Sequence, residues 1–297
     1  MSDQPDPVSA GGDLNVSFEF FPPKSDNGLE SLRDATAALA AVKPFYMSVT
    51  YGAGGSTRDY SFAAVETAST AANTVPIAPH LTCVGQSREE VFATVDRFAA
   101  LGVAHIVALR GDPPEGIDAA YAAHPDGFQS TAELVSAIMT HGTFDIAVSA
   151  YPEKHPQSPS FDHDLDVLAA KVQAGAKRAM TQMFFDNDLF LEYRDRAAAR
   201  AIEIPIVPGI FPIHSFPAVA RFAAKCGATM PAHVAARFDG LDDDPVATFE
   251  IAAEVAAEQI NALAAEGIRH VHIYTLNKAP LALAVCERIG LIAKADL

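Results

Sequence analysis

Residues 16–24 read Val-Ser-Phe-Glu-Phe-Phe-Pro-Pro-Lys, an apolar run with period-two alternation that ends on a carboxylate and is stopped by two prolines. The same arrangement returns along the chain at 45–50, 76–82, 105–110, 145–151, 178–185, 205–211 and 270–276. Each run stops close to a polar or ring-bearing residue: after Glu19 come Thr50, His80, Arg110, Tyr151, Gln182 and Tyr274. The seventh run offers only Pro208 and Gly209. Helical periodicity fills the gaps at 28–42, 57–72, 87–101, 131–141, 162–174, 187–200, 215–226, 245–266 and 279–289. Eight short strands alternating with helices predict an α/β fold, a (β/α)8 TIM barrel with extra helices in a single domain. Strand ends converge on one mouth in that fold, so the residues named above become the candidate functional groups.

Ser87-Arg-Glu-Glu90 and Ser130-Thr-Ala-Glu133 read as capping boxes, and Gly102, Gly142, Gly175, Gly227 and Gly267 fall where helices should stop. Within the strands, side chains two apart share a face. Glu19 is thereby grouped with Ser17, Thr50 with Ser48, His80 with Ala78, Arg110 with Ala108, and Tyr151 with Ser149 and Ala147, all expected to point inward. Phe18, Phe20, Met47, Val49, Val107, Leu109, Ile146 and Val148 are expected to face the helices.

The chain has 297 residues, is 49% hydrophobic and carries a formal net charge of −16. One barrel of roughly 250 residues accounts for nearly all of it, with 1–15 as a flexible N-terminal tail and 16–297 as the barrel. The charge, with no Lys/Arg-rich run, speaks against nucleic acid or an anionic membrane as partner. No apolar run is long enough to span a bilayer, and the polar N-terminus lacks the order of a signal peptide. The three cysteines have neither CxxC nor metal-ligand spacing, which fits a reducing, cytoplasmic location.

Glu19 is the sharpest single residue. Set among phenylalanines it would be poorly hydrated, and desolvation raises a carboxyl pKa toward general-acid use; the competing structural reading is an ion pair with Lys24 or Arg58. The loop Gly52-Ala-Gly-Gly-Ser-Thr57 lacks the last glycine of a dinucleotide fingerprint and reads instead as a loop whose backbone approaches a ligand closely. Arg110 and Asp112 in Ala108-Leu-Arg-Gly-Asp-Pro-Pro114 either orient a polar ring system or brace the loop as a pair. His270 and His272 share a face, but no matching ligands lie on the first strand, so they read as core histidines and no metal is expected. No lysine ends a strand, which argues against Schiff-base chemistry.

FEFFPPK at 18–24, SVTYGAGGSTR at 48–58, PHLTC at 79–83, ALRGDPP at 108–114, AYPEKHP at 150–156, TQMFFD at 181–186, PGIFP at 208–212 and VHIYTLN at 271–277 together resemble the methylenetetrahydrofolate reductase family, in its short bacterial form without a regulatory domain. The resemblance implies FAD as cofactor and reduction of 5,10-methylenetetrahydrofolate to 5-methyltetrahydrofolate, with NAD(P)H reducing the flavin first in a ping-pong scheme. By position, Glu19 would be the general acid that protonates the bridging folate nitrogen, Asp112 would tune flavin and pterin, and Gln182 would bind the pterin. Thr50, Ala53, His80, Arg110, Gly111, Asp112, Tyr151, His155, Asp164 and Lys171 would contact the flavin. Phe216, Tyr274 and Lys278 would lie on the substrate side, Lys278 meeting the glutamate tail of a folate that can be polyglutamylated. A homo-oligomer is expected by the same analogy.

Three departures predict weaker FAD binding: Ser130 where the family carries an aromatic, and Val167 and Ala170 where it carries Asn and Arg. They keep open a flavin-free alternative in which hydride passes directly from nicotinamide to folate. A non-catalytic flavin- or folate-binding barrel is the reading from another class.

Overall fold

The computed structural model describes residues 14–51, 58–113 and 121–293. Eight parallel strands close into a barrel in chain order. They are β1 (Asn15–Phe20), β2 (Met47–Val49), β3 (Ile77–Thr82), β4 (His105–Leu109), β5 (Asp145–Ala150), β6 (Arg178–Met183), β7 (Ile206–Ile210) and β8 (His270–Tyr274). All eight predicted runs therefore carry a strand. The first begins at Asn15, with Leu14 packed on the core, so the chain is ordered slightly before the predicted tail ends.

Around the barrel lie α1 (Asp26–Ala40), α2 (Arg58–Ala71), α3 (Arg88–Ala100), α4 (Thr131–His141), α5 (Phe161–Gln173), α6 (Asn187–Ala199), α7 (Phe216–Cys226), α8 (Ala232–Ala236), α9 (Pro245–Ala265) and α10 (Ala279–Arg288). The five-residue α8, started by Pro231, is too short to show a period in the sequence. Ser87 heads a complete capping box with Glu90. Ser130 caps α4, but Glu133 does not return to the cap amide: one carboxylate oxygen accepts from Gln129 N at 2.7 Å and the other pairs with Arg88. Gly102, Gly175, Gly227 and Gly267 have positive φ, as helix-ending glycines do, whereas Gly142 ends α4 in extended backbone.

The core has two shells. Outside the sheet, Val16, Phe18, Phe20, Met47, Val49, Ile106, Ala108, Ile146, Val148, Val271 and Ile273 meet the buried faces of the helices. Inside, Ala78, Val107, Ala147, Met180 and Val207 fill the barrel with Tyr46. This corrects the predicted facing of β4. Its register sets Val107 beside His80 on one side and Ala147 on the other, both inward, so Val107 and Leu109 point in and Ala108 points out. Both faces of a parallel barrel strand are apolar, so hydrophobicity cannot tell them apart.

At the bottom of the barrel the Arg178 guanidinium makes a bidentate pair with Asp145, at 2.7 and 2.9 Å, beneath the rings of Phe45 and Tyr46. No helix among the described residues is long and apolar enough to cross a membrane.

Candidate active site

Two cavities meet at the C-terminal ends of the strands. The first, of about 370 Å³, fills the barrel mouth and is lined by Glu19, Thr50, His80, Thr82, Gln182 and Tyr274, with Phe21, Phe211 and Phe222 among its apolar walls. The second, of about 340 Å³, runs outward over β4 and β5 between Arg110, Tyr151, His155, Asp164 and Lys171. Gly111, Asp112, Tyr151 and Gln182 line both. The structure thus brings together the predicted mouth residues and the predicted cation-bearing residues. Ala53 lies outside the described residues.

Glu19 and the residues after it are held by the segment that follows β8. The Glu19 carbonyl accepts from Thr275 Oγ1 at 2.6 Å, and the loop after it is clasped by Asn277, whose amide oxygen accepts from Phe21 N at 2.9 Å while its Nδ2 donates to Phe21 O at 2.8 Å. Asn277 sits in the left-handed region at φ 58°, which Asn tolerates better than most residues. Asn277→Ala is expected to lower stability by about 1–2 kcal/mol, from the lost bonds and the strained backbone. A denaturant titration giving the native midpoint would remove the clasp from the account.

The carboxylate of Glu19 lies 3.2 Å from His80 Nε2 and 3.5 Å from His272 Nε2. Burial alone would raise its pKa, as expected from the sequence, but the two imidazoles outweigh burial and hold it down at about 2. Its partners are therefore these histidines, from β3 and β8, and not Lys24. His272 and His270 are hydrogen-bonded inside the barrel, both through Ser17 Oγ, at 2.7 Å and 3.0 Å. From the sequence they read as core histidines with no part in the site, because chain order does not show which β8 side chains come to lie against Glu19.

Arg110 leaves the end of β4 and donates to Gln157 Oε1 at 2.6 Å rather than bracing Asp112. Gly111 makes the turn at φ 81°, and a Cβ there would fall 2.5 Å from Val84 Cγ1, so only glycine fits. Asp112, just beyond, is exposed where the two cavities join. Lys171 is buried and donates to Ser149 O at 2.9 Å and Ser149 Oγ at 3.3 Å. Burial pushes its pKa down to about 8, against the upward pull of Asp164. Asp164 in turn is raised, again mainly by burial. Burial and the neighbouring Arg110 push His155 down to about 4, and its ring meets Tyr151 edge-on at 4.6 Å.

The seventh strand contributes by lacking a side chain. A Cβ on Gly209 would lie 2.3 Å from Thr181 O and 2.8 Å from the Tyr274 hydroxyl, which donates to Thr181 O at 2.7 Å. Tyr274 can lie across the mouth only because Gly209 is bare. It also separates the mouth from a third cavity of about 810 Å³, where Phe216 stacks on Phe238 and Lys278 stands at the rim of α10. Phe216 and Lys278 are thus not in the mouth but beside it. Of the three departures, Ser130 serves as the α4 N-cap, Val167 lines the second cavity and is 39% exposed, and Ala170 is exposed.

The mouth can hold a flat ring system next to an acid, and the second cavity can hold an anionic arm. One buried side-chain atom on the mouth wall, Thr82 Oγ1, has no hydrogen-bond partner within the protein.

Comparison with known proteins agrees with this geometry. The family model described as methylenetetrahydrofolate reductase matches residues 6–290. A 5,10-methylenetetrahydrofolate reductase of Pectobacterium carotovorum subsp. carotovorum is 41% identical, covering 94% of this chain and 91% of its own length. That of Escherichia coli (strain K12) is 38% identical over 94% of this chain and 92% of its own. The solved structure of an uncharacterised protein from Clostridium thermocellum, which binds two copies of 5-methyl-5,6,7,8-tetrahydrofolic acid, shares the fold, with a TM-score of 0.60 at 13% identity, over 93% of this chain and 96% of its own.

Proposed function

Because this chain belongs to the methylenetetrahydrofolate reductase family, whose members reduce 5,10-methylenetetrahydrofolate to 5-methyltetrahydrofolate, we propose that it does so with FAD held across the mouth and the second cavity, and with NAD(P)H as reductant. The observation that carries this is the continuity of the two cavities through Gly111, Asp112, Tyr151 and Gln182: an apolar mouth joined to a channel walled by Arg110, Lys171 and His155. A flavin ring suits the first and the diphosphate arm the second. The unpartnered Thr82 Oγ1 is placed to meet a polar atom of the ring. FAD, when bound, supplies the hydride chemistry, accepting from NAD(P)H and delivering to the folate.

Glu19 carries the proton for the bridging folate nitrogen, so that the methylene opens to an iminium able to accept hydride. Gln182 orients the pterin amide; its Oε1 accepts from Met183 N at 2.9 Å, so the side chain rotates to do so. Asp112 sets the potential where ring and pterin meet. Tyr274 and the phenylalanines exclude water from the mouth. The folate tail passes Tyr274 toward Phe216 and Lys278, the cation that a glutamate or polyglutamate end would meet. With FAD in the mouth, nicotinamide and folate would meet the same face of the ring in turn, a ping-pong scheme. The free cysteines agree with a cytoplasmic location.

The test is the visible spectrum of anaerobic, FAD-supplemented protein. Flavin bands that bleach with NADH or NADPH and return on adding methylenetetrahydrofolate are expected. Protein that ignores FAD yet oxidises the nicotinamide with folate would replace this scheme with direct transfer.

FAD binding should also depend on pH with a definite sign. A diphosphate beside Lys171 and His155 favours their cationic forms, so both pKa values rise in the complex above their free values of about 8 and about 4. Binding therefore takes up protons above pH 8, and affinity falls as pH rises through that value. Calorimetry at pH 7 and pH 9, in buffers of different ionisation enthalpy, measures both; pH-independent affinity would place the diphosphate away from Lys171.

A further inference from the structure

On the reading that Glu19 is the acid of the folate step, we propose that His272 is its positioning residue: with Ser17 and His270 it forms a buried hydrogen-bond chain that runs one way when Glu19 is ionised and the other way when Glu19 holds a proton.

The chain is continuous. Glu19 Oε2 lies 3.5 Å from His272 Nε2, His272 Nδ1 lies 2.7 Å from Ser17 Oγ, and Ser17 Oγ lies 3.0 Å from His270 Nε2. Ser17 and His272 are fully buried and His270 nearly so. Ser17 has a single hydroxyl hydrogen and can donate to only one imidazole. Two arrangements satisfy every link. In the first, His270 donates to Ser17, Ser17 to His272 Nδ1, and His272 Nε2–H to the Glu19 carboxylate. In the second, Glu19 O–H donates to His272 Nε2, His272 Nδ1–H to Ser17, and Ser17 to His270. A change of Glu19 protonation thus needs a reversal of direction together with a shift of the His270 proton from Nε2 to Nδ1, which keeps His270 neutral, and every link between the four groups stays made.

This answers the difficulty that Glu19 is strongly acidic in the free protein yet must deliver a proton. The second arrangement gives protonated Glu19 an acceptor. His270 is neutral, since burial pushes its pKa down to about 3, so it can end the chain as donor or acceptor. The groups facing His272 are Glu19 and Ser17 on β1, Tyr46 stacked at 5.8 Å and Ser48 Oγ at 3.5 Å from the β2 side, His80 across Glu19 from β3, and Tyr274 edge-on at 5.5 Å on β8, while β7 sets the bare Gly209 opposite it. Arg178 acts on His270 from below. Among them Glu19 is the carboxylate that the ring can serve.

The first measurement uses unaltered, FAD-loaded enzyme: ¹⁵N spectra of its histidine rings at pH 8, with His272 assigned by its loss in His272→Asn. A neutral His272 carrying its proton on Nε2 is expected; a proton on Nδ1, or on both nitrogens, overturns the proposal. The second is Ser17→Ala. Without Oγ, an Nδ1–H on His272 would have no acceptor, so the proton stays on Nε2 and favours ionised Glu19. Reoxidation of the bleached flavin by methylenetetrahydrofolate is expected to slow roughly tenfold at neutral pH, with its pH profile moved down by about one unit. Bleaching by NADH stays native, and Ser17→Thr restores the profile.

A native pH profile in Ser17→Ala overturns the proposal, and if that variant does not fold the ring spectra decide. Glu19→Gln in parallel separates the two levels: retained folate reduction there removes the acid assignment itself, whereas its loss beside a native Ser17→Ala removes only the chain.

Discussion

Glu19→Gln is expected to oxidise NAD(P)H against an artificial electron acceptor at close to the native rate while folate reduction falls by about 10²–10⁴-fold, the usual worth of a positioned general acid. The asymmetry follows from the chemistry, since only opening the folate methylene requires a proton on a leaving nitrogen. Glutamine keeps the shape and can still meet His80 and His272, which contact the carboxylate at 3.2 and 3.5 Å, but it has no proton to give. Stopped-flow measurement of each half-reaction separates the effects. Loss of both would point to collapse of the mouth, and loss of neither would move the acid elsewhere.

Lys171→Met is expected to weaken FAD binding by about 1.5–3 kcal/mol, the range for a hydrogen bond to a charged group, or roughly 10- to 150-fold in affinity. The same change should leave the melting temperature of the FAD-free protein unchanged or higher. Lys171 is a buried cation whose pKa burial has already pushed down to about 8, so removing it relieves its desolvation; its neighbour Asp164, whose own pKa burial raises, can take up a proton in its place, and methionine fills much the same space. Two carbonyl and hydroxyl acceptors on Ser149 are given up in exchange. Opposite signs for ligand affinity and bare stability mark a group kept for a ligand. A melting temperature that fell together with affinity would make Lys171 structural.

Much of this protein is legible in its sequence because the signals are local. Strand alternation, the gaps of helical period, and the polar residue closing each run lie within a few residues of one another, and they are sufficient for the barrel, its chain order and the location of its mouth. Glu19, Thr50, His80, Gln182 and Tyr274 were placed in the mouth on that basis, and they line one cavity. The short α8 escaped because one turn has no period.

What remained depended on residues that only barrel closure brings together. The facing of β4 was decided by register, since Val107 lies between His80 and Ala147 and both faces of the strand are apolar. The acidity of Glu19 was read from its phenylalanine neighbours as raised; in the structure it is lowered, because β3 and β8 deliver two imidazoles to its carboxylate. Gly209 looked idle in the sequence, yet its missing side chain is what lets Tyr274 lie across the mouth. Local pattern is short-ranged and survives in one dimension; desolvation, charge pairing and steric room are sums over neighbours, and those neighbours exist only once the eighth strand has closed on the first.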